Sequence, residues 1–257
     1  MIIRKSEGEL ELMRRSGAIL AETITRVVEA VGPGVSTLDL DAIAARMIAD
    51  AGAEPSFLGY GGGGGRIPFP AHICASINDE IVHGIPSAGR VLRDGDLVSL
   101  DFGAIWQDFH SDSAVTVFVG SPPDDGAKRL VEVTEAALDA AIAVVRPGGR
   151  LSDIGHAIEQ TAGAHGLGIV REYGGHGIGR AMHEDPFIQN WGKPGRGPEL
   201  RPGLVVAVEP MLNLGEDETA VTPDGWTVVT ADGSLSAHFE HTVAVTQDGH
   251  EVLTARD

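Results

Sequence analysis

The sequence has a single cysteine, Cys74, in 257 residues. A lone cysteine makes no intrachain disulfide and no cysteine-rich zinc site, which excludes a disulfide framework and a zinc finger. No apolar run approaches the roughly 18 residues that a membrane-spanning helix needs. The opening segment, MIIRKSEGELELMRR, mixes acids and bases where a secretory signal requires an apolar stretch, so a soluble, cytoplasmic protein is expected. Positive charge is scarce: 19 Lys+Arg stand against 37 Asp+Glu, a net −18, which argues against a broad nucleic-acid-binding face.

What is present is ordinary in amount and unusual in arrangement. The 42% hydrophobic and 22% charged content suits a globular chain, long enough for one large domain (1–257). An internal echo divides it into two similar halves, roughly 1–115 and 116–257. Pro33-Gly34, Asp39, Leu40 and Gly52 recur 114 residues later as Pro147-Gly148, Asp153, Ile154 and Gly166. Each Pro-Gly follows a long amphipathic stretch and introduces a shorter one. The first long stretch opens with a capping-box pair, Ser6 and Glu9, and carries Leu10, Met13, Leu20, Ile24 and Val27 at helical spacing. Its counterpart carries Leu130, Val133, Ala137 and Ala141, with Ser121-Pro122-Pro123 as its start signal.

A second echo, offset by 108, aligns LRDG then LVSLD with LRPG then VVAVE, so that Asp101 falls on Glu209. These matches predict a pseudo-twofold α+β fold in which helices cover a curved, mainly antiparallel sheet and a site lies between the halves. The expected strands are 97–106, 108–119, 168–173, 204–209, 226–230 and 240–246.

Asp101, Asp112, His176, Glu209 and Glu240 then stand out. Three of these carboxylates sit in or beside apolar, strand-like runs (LVSLDFG, LVVAVEP and HFEHTVAVT). Carboxylates are seldom fully buried unless something pairs with or coordinates them. Four converging anions need a shared positive charge, which a pair of divalent metal ions supplies. Oxygen-rich ligands with one imidazole suit Mn, Fe, Co or Zn, and two such ions prepare a water for attack on a carbonyl. His176 lies in a glycine-rich loop, GGHGIG, where backbone and ligand approach closely.

The segments NDEIVHGIP (78–86), GHGIG (175–179), VEPM (208–211) and FEHT (239–242) resemble type I methionine aminopeptidases, in order and from end to end. The resemblance implies the pita-bread fold and an activity, removal of initiator methionine before a small second residue on nascent polypeptides. It implies that Asp101, Asp112, His176, Glu209 and Glu240 hold the two metals, with Asp112 and Glu240 bridging and Glu209 serving as general base. It makes His183 the donor to the tetrahedral intermediate and His83 a contact to the substrate amide. Phe69, Cys74, Met182 and Trp226 would form the methionine pocket. Asn78 and Ser236 match positions that help bind a monovalent cation.

The sequence departs from that pattern at two places. The glycine run 61–65 is longer than expected, and Met182 stands where many relatives carry an aromatic residue. A monomer with ribosome contact through Arg14 and Arg15 is expected. Two other readings compete: an Xaa-Pro-cleaving relative, disfavoured because such relatives normally carry an additional N-terminal domain, and a metal-free binding module, disfavoured because the whole ligand set is present.

Overall fold

Among the described residues, four helices are each held at their start by a side-chain cap. α1 (Glu7–Glu29) starts at Ser6, whose hydroxyl accepts from Glu9 N while the Glu9 carboxylate accepts from Ser6 N at 2.9 Å. α2 (Thr37–Asp50) repeats the arrangement with Ser36 and Asp39. α3 (Asp125–Ala143) is capped by Asp124, three residues beyond the Ser-Pro-Pro start expected from sequence, because the Asp124 carboxylate accepts from Ala127 N. α4 (Leu151–Ala164) is held at its start by Asp153, which accepts from Arg150 N at 2.8 Å. The computed structural model describes residues 1–62 and 67–256. The greater part of the glycine run therefore lies outside the described residues.

Following α2 come β1 (Glu54–Pro55), β2 (Ile73–Ile77), β3 (Glu80–Val82), β4 (Leu97–Trp106) and β5 (Phe109–Phe118). Following α4 come β6 (Gly168–Ile169), β7 (Gly174–Gly177), β8 (Glu184–Gln189), β9 (Val205–Val208) and β10 (Met211–Asn213). The chain ends through β11 (Thr219–Val221), β12 (Val228–Thr230), β13 (Ser236–His238), β14 (His241–Val245) and β15 (His250–Val252). Every strand pair among the described residues is antiparallel. One sheet runs β1-β4-β2 with β5 on β4, and another runs β15-β14-β9-β7-β8.

The echo in sequence is an echo in hydrogen bonding. Gly34 N donates to Leu92 O at 2.8 Å, and its counterpart Gly148 N donates to Leu200 O at 2.9 Å. Both glycines sit at positive φ, +91° and +81°, where a side chain would be strained. Asp39 and Asp153 make equivalent caps, and Leu40 and Ile154 are both fully buried. Each half has its own core. In the first, Leu20, Ile24 and Val27 of α1 and Leu40 and Ala44 of α2 pack on β2 and β4. In the second, Leu130, Ala137 and Ile154 from α3 and α4 pack on Val206, Val208 and Val243. Burying each leucine, isoleucine or valine among them contributes about 1.5–3 kcal/mol.

The strand period decides what faces the seam between the halves. In β4, Val98, Leu100, Phe102 and Ala104 face the helices, so Ser99, Asp101 and Gly103 face the other way. In β5, Asp112, Ala114 and Thr116 share that second face, opposite Gly103, Asp101 and Ser99. The halves are joined there. Glu240 N donates to Ala114 O, Ala114 N donates to Glu240 O, and Thr242 Oγ1 bonds both backbone groups of Asp112.

Candidate metal centre

Asp101 and Asp112 come from the adjacent, register-paired strands β4 and β5, displaced by two residues on one face. Asp101 is mid-strand, since β4 runs on to Trp106, whereas β9 stops at Val208 and leaves Glu209 just beyond it. The two aligned carboxylates thus differ in context. Pro210 supplies no N–H with which to continue the ladder. Glu240 immediately precedes β14, whose His241 pairs with Val208.

His176 is not in a loop, as the glycine-rich run suggested, but inside β7, between Phe187 of β8 and Ala207 of β9. The glycines serve pairing. A Cβ on Gly174, Gly175 or Gly177 would overlap a carbonyl oxygen of Ile188, Ala207 or Asp185. The expected strand 168–173 is shorter, ending at Ile169 before the chain enters β7. Likewise Trp226 lies in the turn before β12, where the Asp224 carboxylate accepts from Trp226 N and Thr227 N.

All five candidate ligands converge. Asp112, His176 and Glu240 each present a ligand atom within 4.8 Å of the others. His176 Nε2 lies 3.7 Å from Asp112 Oδ2 and 3.5 Å from Glu209 Oε1. Burial, and then the Asp112 charge, push Asp101 well above the usual carboxylate range. Burial raises Asp112 to about 8, partly offset by hydrogen bonds from Asp101 and Ser113 N. Burial, and then the Asp112 charge, raise Glu209 and Glu240 as well.

The residues fit a divalent-metal centre on three counts. Asp101 Oδ1, Asp112 Oδ1 and Glu240 Oε1 are buried without a hydrogen-bond partner. His176 donates Nδ1–H to Gly177 O at 2.9 Å, and burial lowers its pKa to about 4. Its Nε2 therefore turns a lone pair toward the carboxylates, an arrangement that a shared cation reconciles.

These five residues, His83, His183, Phe69, Cys74, Met182 and Trp226 all line one cavity of about 290 Å³. Phe69, Cys74 and Met182 are buried and pack together, and Trp226 meets Phe69 edge-on at 5.3 Å. Cys74 pairs across β2–β4 with Asp101, and burial, followed by the Asp101 charge, pushes its thiol up, so it is no thiolate nucleophile. His83 sits at φ +61°, a left-handed conformation that a non-glycine residue holds at a cost of about 1–3 kcal/mol. His183 stacks on His176 at 4.1 Å, and its Nδ1 meets the Tyr60 hydroxyl at 2.6 Å. Burial lowers both His83 and His183 to about 4, so each is neutral at pH 7.

Asn78 and Ser236 meet elsewhere. Ser236 N donates to Asn78 O at 2.9 Å, while the Asn78 side chain bonds Asp96 and Leu97 N.

Sequence reasoning missed Tyr60, Tyr173 and His238, which also line the cavity. Aromatic residues spaced along loops give no periodic signal, and His238 stands beside the more conspicuous Glu240.

The sequence matches metallopeptidase family M24 over residues 11–247. It is 51% identical to "Methionine aminopeptidase 1" of Mycobacterium tuberculosis, over 99% of this chain and 95% of that one. It is 48% identical to "Methionine aminopeptidase 1" of Bacillus subtilis, over 99% of both. The structure resembles that of methionine aminopeptidase from Thermotoga maritima, with a TM-score of 0.95 and 41% identity over the whole of both chains. Pyrococcus horikoshii prolidase shares the fold at a TM-score of 0.78 and 23% identity, but this chain covers only 65% of it.

Proposed function

The chain belongs to metallopeptidase family M24, among its methionine aminopeptidases, and we propose from that premise how its residues divide the work. The reaction is metal-dependent removal of an N-terminal methionine. Asp101, Asp112, His176, Glu209 and Glu240 would hold two divalent ions, with Asp112 and Glu240 reaching them from opposite sides of the seam. When bound, such ions polarise the scissile carbonyl and lower the pKa of a water molecule at the site. The observation that carries this reading is the set of buried, unpartnered carboxylate oxygens around the lone pair of His176.

Glu209 is the carboxylate best placed for proton transfer. Its side chain is 14% exposed, so it reaches both the buried cluster and the substrate side of the cavity. It takes a proton from the attacking water and returns it to the leaving amine. Tyr60, by donating to Nδ1 of His183, fixes the tautomer that carries a proton on Nε2. That N–H serves the charge developing on the carbonyl oxygen. His83, neutral and held by its backbone, contacts the substrate amide. Phe69, Cys74, Met182 and Trp226 receive the methionine side chain, whose thioether suits aromatic and sulfur walls.

The finer readings are a small second residue, action as a monomer in the cytoplasm on nascent chains, and a monovalent cation at the second lone pair of Asn78 O. Among the described residues no helix is long and apolar enough to cross a membrane. Ribosome contact through Arg14 and Arg15 has little support. Arg14 is paired with Glu251 and Glu11, and Arg15 lies over Trp106.

Turnover of Met-Ala-Ser and of an Xaa-Pro peptide, with and without added Mn, tests the reading. Metal-dependent release of methionine is expected, with Glu209→Gln losing at least a hundredfold in kcat. Release that is indifferent to metal, or a preference for the Xaa-Pro bond, would refute it.

A further inference from the structure

We infer that His238 is a positioning residue for Glu209, fixing the orientation of that carboxylate through a ring N–H. The inference rests on the reading of Glu209 as a metal-holding general base. His238 is 2% exposed and lines the cavity, yet neither of its ring nitrogens has a hydrogen-bond partner. Two other imidazoles at the site are anchored, His176 on Gly177 O and His183 on Tyr60. His238 has no such anchor, and its ring cannot retreat. Its backbone N–H donates to Thr116 Oγ1 and its carbonyl accepts from the same hydroxyl, and β13 pairs it with Met211.

The nitrogens must therefore find their partner in the cavity, because a buried N–H left unpaired is costly. Nε2 lies 3.9 Å from Glu209 Oε2, while His176 Nε2 lies 3.5 Å from Oε1. Two imidazoles thus bracket one carboxylate. The next residue, Pro210, has no N–H to offer, and the Asn190 amide is engaged by the Glu209 main-chain carbonyl. With its proton on Nε2, His238 donates to Oε2 after a small ring rotation that closes the 3.9 Å separation. Oε1 then stays directed at the metal side, beside His176. Such partners behind a ligand tune metal affinity by about 10–100-fold.

The test uses His238→Leu, which removes the donor, and His238→Gln, which keeps an N–H within reach. Mn binding is measured by calorimetry and Met-Ala-Ser turnover by steady-state kinetics. His238→Leu should weaken Mn binding about tenfold and lower kcat with KM little changed, and His238→Gln should restore most of both. In a Glu209→Gln background, His238→Leu should leave Mn affinity unchanged, because its effect acts through the carboxylate. Wild-type Mn affinity and kcat in His238→Leu would overturn the inference. So would equal impairment of Leu and Gln variants, or an equal loss in the Glu209→Gln background. Full activity of Glu209→Gln would instead overturn the reading of Glu209 on which it rests, whereas an inactive Glu209→Gln beside an unaffected His238→Leu defeats the His238 inference alone.

Discussion

Asp112→Asn should stabilise the metal-free protein and lose most of that advantage when metal is added. Asp112 is 4% exposed, and its folded pKa is raised from 3.8 to about 8. Between those values the folded carboxyl is protonated while the unfolded one is ionised, so stability falls by about 1.4 kcal/mol for each pH unit. The stability present below pH 3.8 is lost progressively as pH rises toward 8. At pH 7 the accumulated loss is about 4 kcal/mol. Asparagine has the same shape and does not titrate. It also removes the like charge that raises Asp101, Glu209 and Glu240. At about 2–4 °C per kcal/mol for a chain of this size, metal-free Asp112→Asn should melt about 10 °C above wild type at pH 7. Its melting temperature should also vary less between pH 5 and 8.

Added Mn removes most of that difference. Ligand at about a thousand times its Kd stabilises the wild type by about 4 kcal/mol, and a variant lacking one bridging carboxylate gains far less. Scanning calorimetry in EDTA and in Mn, at pH 5, 7 and 8, reads both effects. If Asp112→Asn melts below wild type in EDTA at pH 7, the carboxylates are not mutually destabilising and the argument for a missing cation fails.

Two further perturbations probe the frame that holds the site. Lys5 and Glu184 form an ion pair at 2.7 Å, with side chains 2% and 7% exposed, and Glu184 also accepts from Ala181 N beside His183. Lys5→Met should cost about 3–5 kcal/mol by leaving a buried charge unpaired, and Glu184→Leu in the same molecule should recover most of it in a denaturant titration. Gly175→Ala drives a methyl group into Ala207 O across the β7–β9 pairing. It should cost at least about 2 kcal/mol and weaken Mn binding, because His176 must shift with the strand; unchanged Mn affinity would show that β7 is not what positions His176.

The repeat was legible because caps and core are local. Ser6 with Glu9, and Asp39 with its counterpart Asp153, act within a single helical turn and leave their signature in adjacent residues. The strand β4 was legible for a similar reason, since alternating Val98, Leu100, Phe102 and Ala104 declare one buried face. By contrast, the glycines of β7 suggest a loop where the chain forms a paired strand. Its glycines answer to carbonyls of Ile188, Ala207 and Asp185, which approach from two other strands. Trp226 was read into a strand, but the side chain of Asp224 holds it in the preceding turn.

Residue order along the chain sets the two-helix frame of each half, the alternation that turns Asp101 and Asp112 away from the helices, and the five residue types suited to a metal pair. Each of these is set by the period and chemistry of residues near one another along the chain. It took the folded chain to show that Glu209 lies between His176 and His238, that the Tyr60 hydroxyl meets His183 Nδ1, and that buried carboxylate oxygens are left without protein partners. Each of those facts joins groups that lie far apart along the chain, and such a distance has no counterpart in local sequence.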